Sequence, residues 1–210
     1  MNGDLMKQSA VEKTKLPIRY YRALKRNLYE TRWAIWERSA LMGLHRAKSF
    51  HEMDFFYVSS TALFNDMISH AIKILDRNKQ SASFWYLYRC QSITVNALAK
   101  NNSNDFALIE QLSDKLKKVR DETHFHIDCD AVFDPHLVWS NAGITWKEFE
   151  KVLNFIWKIL QYLHEESYSK KFIMPKYDGS DATALIKIAQ EKGIIPLYVK
   201  KGLYISDIED

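Results

Sequence analysis

The residues best suited to chemistry lie together in one short stretch, residues 119–128, with the sequence VRDETHFHID. This stretch contains Arg120, the adjacent carboxylate Asp121, and two histidines, His124 and His126. Histidine accepts or donates a proton near neutral pH, and the planar guanidinium of arginine binds phosphate oxygens through several N–H groups at once. The stretch therefore indicates acid–base chemistry on a substrate that carries phosphate.

Two features of this sequence resemble a known family. An arginine followed at once by Asp, with a histidine a few residues on, is similar to the signature of the HEPN superfamily of helical RNA-cleaving domains; here five residues separate Arg120 from His126. Residues 62–67 (ALFNDM), 75–77 (LDR) and 83–88 (SFWYLY) add a second likeness. Together they resemble the abortive-infection (AbiU-like) branch of that superfamily, over roughly residues 20–165.

The resemblance implies a metal-independent endoribonuclease that needs no cofactor and acts in phage defence or as the toxin of a toxin–antitoxin pair. His126 would be the general base, Arg120 would stabilise the phosphate, and Asp121 would orient Arg120 or a partner's histidine. The expected product is a 2′,3′-cyclic phosphate. The implied partners are RNA, a second copy of the chain and a nucleotidyltransferase-type antitoxin. The alternative is a non-catalytic HEPN-like module that binds RNA or protein.

The choice between the two histidines depends on the helix that carries them. A helical stripe of Leu108, Leu112, Leu116 and Val119 predicts a helix from about Asp105. On a continuous α-helix, His126 is in line with this stripe and Arg120 lies roughly 120° away. Either the helix breaks between them or two chains combine to form the site. His124, four residues from Arg120, is the rival base.

Three further groups of polar residues could have either a structural or a functional role. Arg19, Arg22 and Arg26 share one side of a helix; a solvated face is favoured over a stripe that follows RNA phosphates. Asp66 and His70 stand four residues apart, which favours a structural hydrogen-bonded pair over a catalytic one.

A metal site is the third hypothesis, because residues 124–130 contain two histidines, two aspartates and Cys129. No two histidines in that segment have the four-residue helical spacing that would place both on one ion. We therefore expect a solvated helix end there and no metal.

Composition restricts the class of protein. The chain has 210 residues, a formal net charge of +4, and only six Gly and four Pro, which favours long helices over a turn-rich β fold. Two cysteines, Cys90 and Cys129, cannot form a disulfide framework or a zinc ribbon. Neither a signal peptide nor a membrane-spanning apolar run is evident. The predicted location is the cytoplasm, with no membrane partner.

The periodicity predicts an all-α bundle of about five helices, HEPN-like, over residues 17–168. A flexible segment, residues 1–16, would precede it, and a small α+β appendage, residues 169–210, would follow. The appendage would hold a short helix from Ser180 or Asp181 to Gln190 and a hairpin over residues 197–205. The segment 54–75 is apolar nearly all round, which predicts a core helix or a subunit interface and favours a homodimer.

Overall fold

The computed structural model describes residues 16–47, 54–101, 106–124, 138 and 140–193, and all regular structure within these ranges is helical. The predicted all-α class is confirmed. The helices of the described residues are α1 Ile18–Arg46, α2 Asp54–Leu75, α3 Phe84–Cys90, α4 Ser92–Asn101, α5 Phe106–Val119, α6 Trp146–Tyr168 and α7 Ser180–Glu191. None of them combines the length and apolar character needed to cross a bilayer. The N-terminal segment 1–15 and the predicted hairpin lie outside the described residues.

Helix α1 is the centre of the bundle, because it packs against α2, α3, α6 and α7. Its side toward the core carries Leu24 and Leu28, both buried. Opposite them α2 supplies Met67 and Ile74, and α6 supplies a long apolar stripe that includes Phe149. Helix α1 also buries polar side chains, Asn27, Glu30, Thr31 and Glu37. Buried polar groups need partners, and the partners of Glu30 and Glu37 form one of two candidate functional sites.

The number of helices differs from the prediction. Between residues 17 and 168 the described part contains six helices rather than about five, because the predicted third helix is divided at Gln91 (φ −137°, ψ 39°). The division lets each short helix direct its own apolar residues into the core: Phe84 and Leu87 from α3, Val95 and Ala99 from α4. The aromatic run at the start of α3 is therefore largely core, as its composition favours.

Helix α6 begins at a predicted cap. The Thr145 hydroxyl oxygen accepts the backbone N–H of Glu148 at 3.1 Å, so half of the predicted capping box is formed. The Glu148 carboxylate instead accepts hydrogen bonds from Lys115 Nζ at 2.9 and 3.0 Å. This ion pair joins α5 to α6 just below the stretch that contains Arg120.

The chain after α6 returns along α1. Helix α7 begins after Gly179 (φ 72°), so the N-cap is this glycine rather than Ser180 or Asp181. Gly43 of α1 and Gly179 are in backbone contact: a Cβ on Gly43 would lie 2.0 Å from the Gly179 carbonyl oxygen. The Thr183 hydroxyl donates to the Gly43 carbonyl oxygen at 2.7 Å. The close approach of two glycines fixes α7 on the bundle.

Candidate functional site

The backbone changes its winding at Arg120. Helix α5 buries Leu112, Leu116 and Val119 on one face, and directly after Val119 the chain forms a π-helical turn, Arg120–His124. Single π-helical turns of this kind occur frequently at functional sites. The buried face of α5 holds the helix in place, so the first residue of the π-helical turn has a fixed position.

The side chain of Arg120 lies near two carboxylates and forms hydrogen bonds with one of them. Its Nε donates to Asp121 Oδ1 at 2.8 Å, and its Nη2 lies 2.8 Å from the same oxygen. Its Nη1 lies 3.7 Å from Asp76 Oδ1, which is too long for a hydrogen bond. Asp121 thus orients the guanidinium through one edge, and the Nη1 edge can still donate to a bound anion.

Arg120 lines a cleft of about 360 Å³ between α5 and the end of α2. Lys117 comes from α5, while Asp76, Arg77 and Asn78 directly follow the end of α2. Apolar or small side chains complete the lining: Ile72, Leu75, Ser113 and Leu116. Three cations and one carboxylate therefore face the same space, which suits a phosphate group.

Arg77 is as firmly positioned as Arg120. Its guanidinium lies 4.9 Å from the centre of the Trp85 ring and donates to Asp114 Oδ1 at 2.9 Å and to Glu110 Oε1 at 3.1 Å. Planar stacking and paired carboxylates restrict its rotamers. Both arginines of the cleft are therefore held in fixed positions against carboxylates, and sequence reasoning missed Arg77 and Lys117 as members of the cleft. Lys117 could have been found from its spacing, because it precedes Arg120 by three residues.

Of the two histidines, His124 is the last residue of the π-helical turn, and His126 lies outside the described residues. The angle calculated for a continuous α-helix does not apply beyond Val119, because the chain is not α-helical from Arg120 to His124. A change in the helix was one of the two expected ways to bring arginine and histidine together. Which histidine acts, and whether two chains combine, stay predictions.

The basic stripe on α1 is largely engaged within the fold. Arg19 donates to the Gln80 carbonyl oxygen at 2.6 Å and lies over the Tyr86 ring, and Arg26 pairs with Glu30. Arg22 is exposed. Because two of the three have protein partners, the contacts favour the solvated structural face over an RNA-binding stripe.

A second group of polar residues lies between α1 and α2, and we call it the carboxylate–histidine cluster: Glu30, Glu37, Asp66 and His70. His70 Nδ1 donates to the buried Glu30 carboxylate, while Nε2 lies 3.5 Å from Glu37 Oε1 and 3.8 Å from Asp66 Oδ2. The predicted Asp66–His70 hydrogen bond is therefore not formed. Glu30 is the partner instead, which local spacing on α2 could not reveal.

Burial and neighbouring charges shift the pKa values of this cluster in opposite directions. Burial alone lowers the pKa of His70, but the Glu37 and Glu30 carboxylates outweigh it, so that pKa lies above its ordinary value. Burial raises the pKa of Glu37, and His70 only partly opposes this. Glu30 and Glu37 lie seven residues apart, so they share a helix side with Ala34, which is buried. That spacing was the available sequence signal.

Comparison of the chain with protein-family models, with curated proteins and with solved structures gave no match. The resemblance to the HEPN superfamily therefore stays a prediction, which rests on Arg120, Asp121 and His126 and on the segments 62–67, 75–77 and 83–88.

Proposed function

We propose that the protein is a metal-independent endoribonuclease of the HEPN type, acting in phage defence or as the toxin of a toxin–antitoxin pair. One observation carries this proposal: Arg120, oriented by Asp121, lines a cleft with Arg77 and Lys117. Fixed guanidinium groups that surround an empty volume are what stabilisation of a phosphorane-like charge requires.

The chemistry uses the chain's own residues. His126 takes the proton from a ribose 2′-hydroxyl, and the oxygen attacks the adjacent phosphorus. Arg120 donates from its Nη1 edge to the charge that develops on the phosphate oxygens. The bond between phosphorus and the 5′-oxygen breaks, the 5′-oxygen takes up a proton from solvent, and the other fragment ends in a 2′,3′-cyclic phosphate. Lys117 and Arg77 bind phosphates along the strand. DNA lacks the 2′-hydroxyl and cannot be a substrate.

The test is incubation of purified protein with total cellular RNA in the presence of a chelator. We expect fragments with 2′,3′-cyclic phosphate ends, and a loss of roughly 10²–10³-fold in rate for Arg120→Ala, as for other groups that stabilise developing charge. Circular dichroism of the variant checks that it folds. Absence of cleavage by the wild-type protein, with RNA still bound, would leave the non-catalytic binding module as the function.

Two adjacent lysines give a matched comparison for RNA binding. Lys117 lines the cleft, whereas Lys118 pairs with Glu122 at 3.9 Å and does not line it. Both side chains are exposed, and the two residues are adjacent on α5. Lys117→Ala should reduce the salt dependence of RNA binding by about one unit of slope, and Lys118→Ala should reduce it much less. Equal effects of both would show that RNA does not use the cleft.

A further inference from the structure

We propose that Glu37, Asp66 and His70 bind a divalent transition-metal ion of the Zn²⁺ type between α1 and α2. This site is separate from the cleft that contains Arg120, and it does not depend on the proposed nuclease activity. One ligand atom from each of the three residues lies within 4.8 Å of the others.

The distances fit a shared ion. Ligand atoms about 2.1 Å from a tetrahedral Zn²⁺ lie roughly 3.4 Å from one another. His70 Nε2 lies 3.5 Å from Glu37 Oε1 and 3.8 Å from Asp66 Oδ2. Both separations are longer than an ordinary hydrogen bond and close to the spacing that two ligands of one ion have.

Glu30 supplies the supporting hydrogen bond that metal-binding histidines usually have. It accepts the Nδ1–H of His70, which holds the ring with Nε2 directed at Glu37 and Asp66. An ion bound there would displace any proton on Nε2 and take its lone pair. A carboxylate on the far nitrogen both orients the ring and raises its basicity as a ligand.

A buried, unsatisfied oxygen is an independent indication of a ligand. Glu37 is only 6% exposed, and its Oε2 has no hydrogen-bond partner among the described residues. A carboxylate in this condition is costly unless it is paired. An ion held by Glu37 would remove that cost. Asp66, by contrast, has a side chain that is 63% exposed, so the ion can reach the site from solvent.

The surrounding charges leave room for a dication. Arg26 pairs with Glu30, and Lys73 Nζ lies 3.8 Å from Glu30 Oε2, so the charge of Glu30 is already balanced. When both are ionised, Glu37 and Asp66 together carry the two negative charges that a divalent ion neutralises. One imidazole with two carboxylates suits Zn²⁺, Co²⁺ or Mn²⁺, whereas Mg²⁺ prefers oxygen ligands alone.

The experiment uses the full chain, untagged and stripped of metal, titrated with Co²⁺ and then Zn²⁺. We expect one equivalent of Co²⁺ to produce visible d–d absorption, Zn²⁺ to displace it, and Mg²⁺ to have no effect. His70→Gln and Glu37→Gln should weaken binding by more than 100-fold, and Glu30→Gln by about 10–100-fold.

Controls separate this site from other ligands in the chain. Glu150→Gln changes another helical glutamate, one that pairs with Arg38, and should bind Co²⁺ normally. His124→Ala and His126→Ala should do the same. If His70→Gln does not fold, the exposed Asp66→Asn variant replaces it. No binding by the wild-type chain, or binding that Asp66→Asn leaves intact and His124→Ala or His126→Ala abolishes, would overturn the proposal.

Discussion

Arg120 and Arg77 share a cleft but differ in how their neighbours hold them. Arg77 donates to two carboxylates on α5 and lies against Trp85, so its guanidinium has a fixed position and its charge is offset by those carboxylates. Arg120 contacts Asp121 closely and Asp76 only at 3.7 Å, so more of its hydrogen-bonding capacity is available. On these contacts Arg120 is better suited to the changing charge of a reacting phosphate.

Two substitutions can decide which histidine is the general base of the proposed reaction. The spacing from Arg120 selects His126, and proximity on a continuous helix selects His124. We expect His126→Ala to abolish RNA cleavage and His124→Ala to reduce it far less, because a general base supplies about 10²–10⁴-fold. Single-turnover cleavage rates, with circular dichroism as the check on folding, measure this. An inactive His124→Ala beside an active His126→Ala would show that the family alignment is wrong.

Sequence could point to residues of the site but not to all their partners. The grouping of Arg120 with Asp121 follows from adjacency, and the Asp121–Arg120 contact is present. The Glu30–His70 contact joins residues 40 positions apart, and only the packing of α1 on α2 brings them together. Glutamates on a helix normally face solvent, so only the seven-residue spacing of Glu30 and Glu37, on the side of buried Ala34, marks them as buried.

At the scale of elements, periodicity determined where most helices lie. The segment 54–75 was predicted with the bounds that α2 has, because its apolar residues leave no ambiguity about a long helix. The break at Gln91 was not predicted, since neither Gly nor Pro stands near it. The π-helical turn after Val119 has no sequence signature either. Both depend on how neighbouring side chains pack in the bundle.

The contact between Gly43 and Gly179 gives a prediction about α7. Alanine at position 43 would gain roughly 1 kcal/mol in helix propensity. Its Cβ, however, would lie 2.0 Å from the Gly179 carbonyl oxygen, and backbone cannot move aside as a side chain can. Overpacking costs about 1–3 kcal/mol, so the clash should outweigh the propensity gain.

We therefore expect Gly43→Ala to lower the Tm by a few degrees, at about 2–4 °C per kcal/mol for a chain of this size, and to expose α7 to proteolysis. Differential scanning calorimetry and limited proteolysis measure the two effects. Met42→Ala, at an exposed neighbouring position of α1, is the control and should change neither. A Gly43→Ala protein with a higher Tm would show that α7 does not pack against Gly43.

For the whole molecule, the all-α class follows from composition and helical period, and the described residues bear it out. Less could be said about how the C-terminal segment packs. It lies along α1, where Trp36 Nε1 donates to the Pro175 carbonyl oxygen at 3.2 Å and Arg46 Nη1 to the Asp178 carbonyl oxygen at 3.1 Å. These bonds use backbone acceptors, and a sequence does not show which carbonyl a side chain will reach.

The last prediction concerns the homodimer. The N-terminal half of α2 carries exposed apolar side chains: Phe55 and Val58, three residues apart on one side of it, are 75% and 64% exposed. Apolar side chains so placed on a helix suit a two-fold interface, in which the same patch meets its copy. A dimer would also allow Arg120 of one chain to act with His126 of the other.

We expect sedimentation at micromolar concentration to show a dimer, and Val58→Asp to weaken its association at least tenfold, because a charge at the centre of an apolar interface is costly. If two chains form the site, the rate of RNA cleavage per chain should fall together with the association of the dimer. Ile173→Asp places the same charge at another exposed apolar position, 76% exposed, on the segment after α6, and should change neither quantity. A wild-type protein that sediments as a monomer, with a cleavage rate first-order in protein, would contradict the dimer. The π-helical turn would then have to bring Arg120 and its histidine together within one chain.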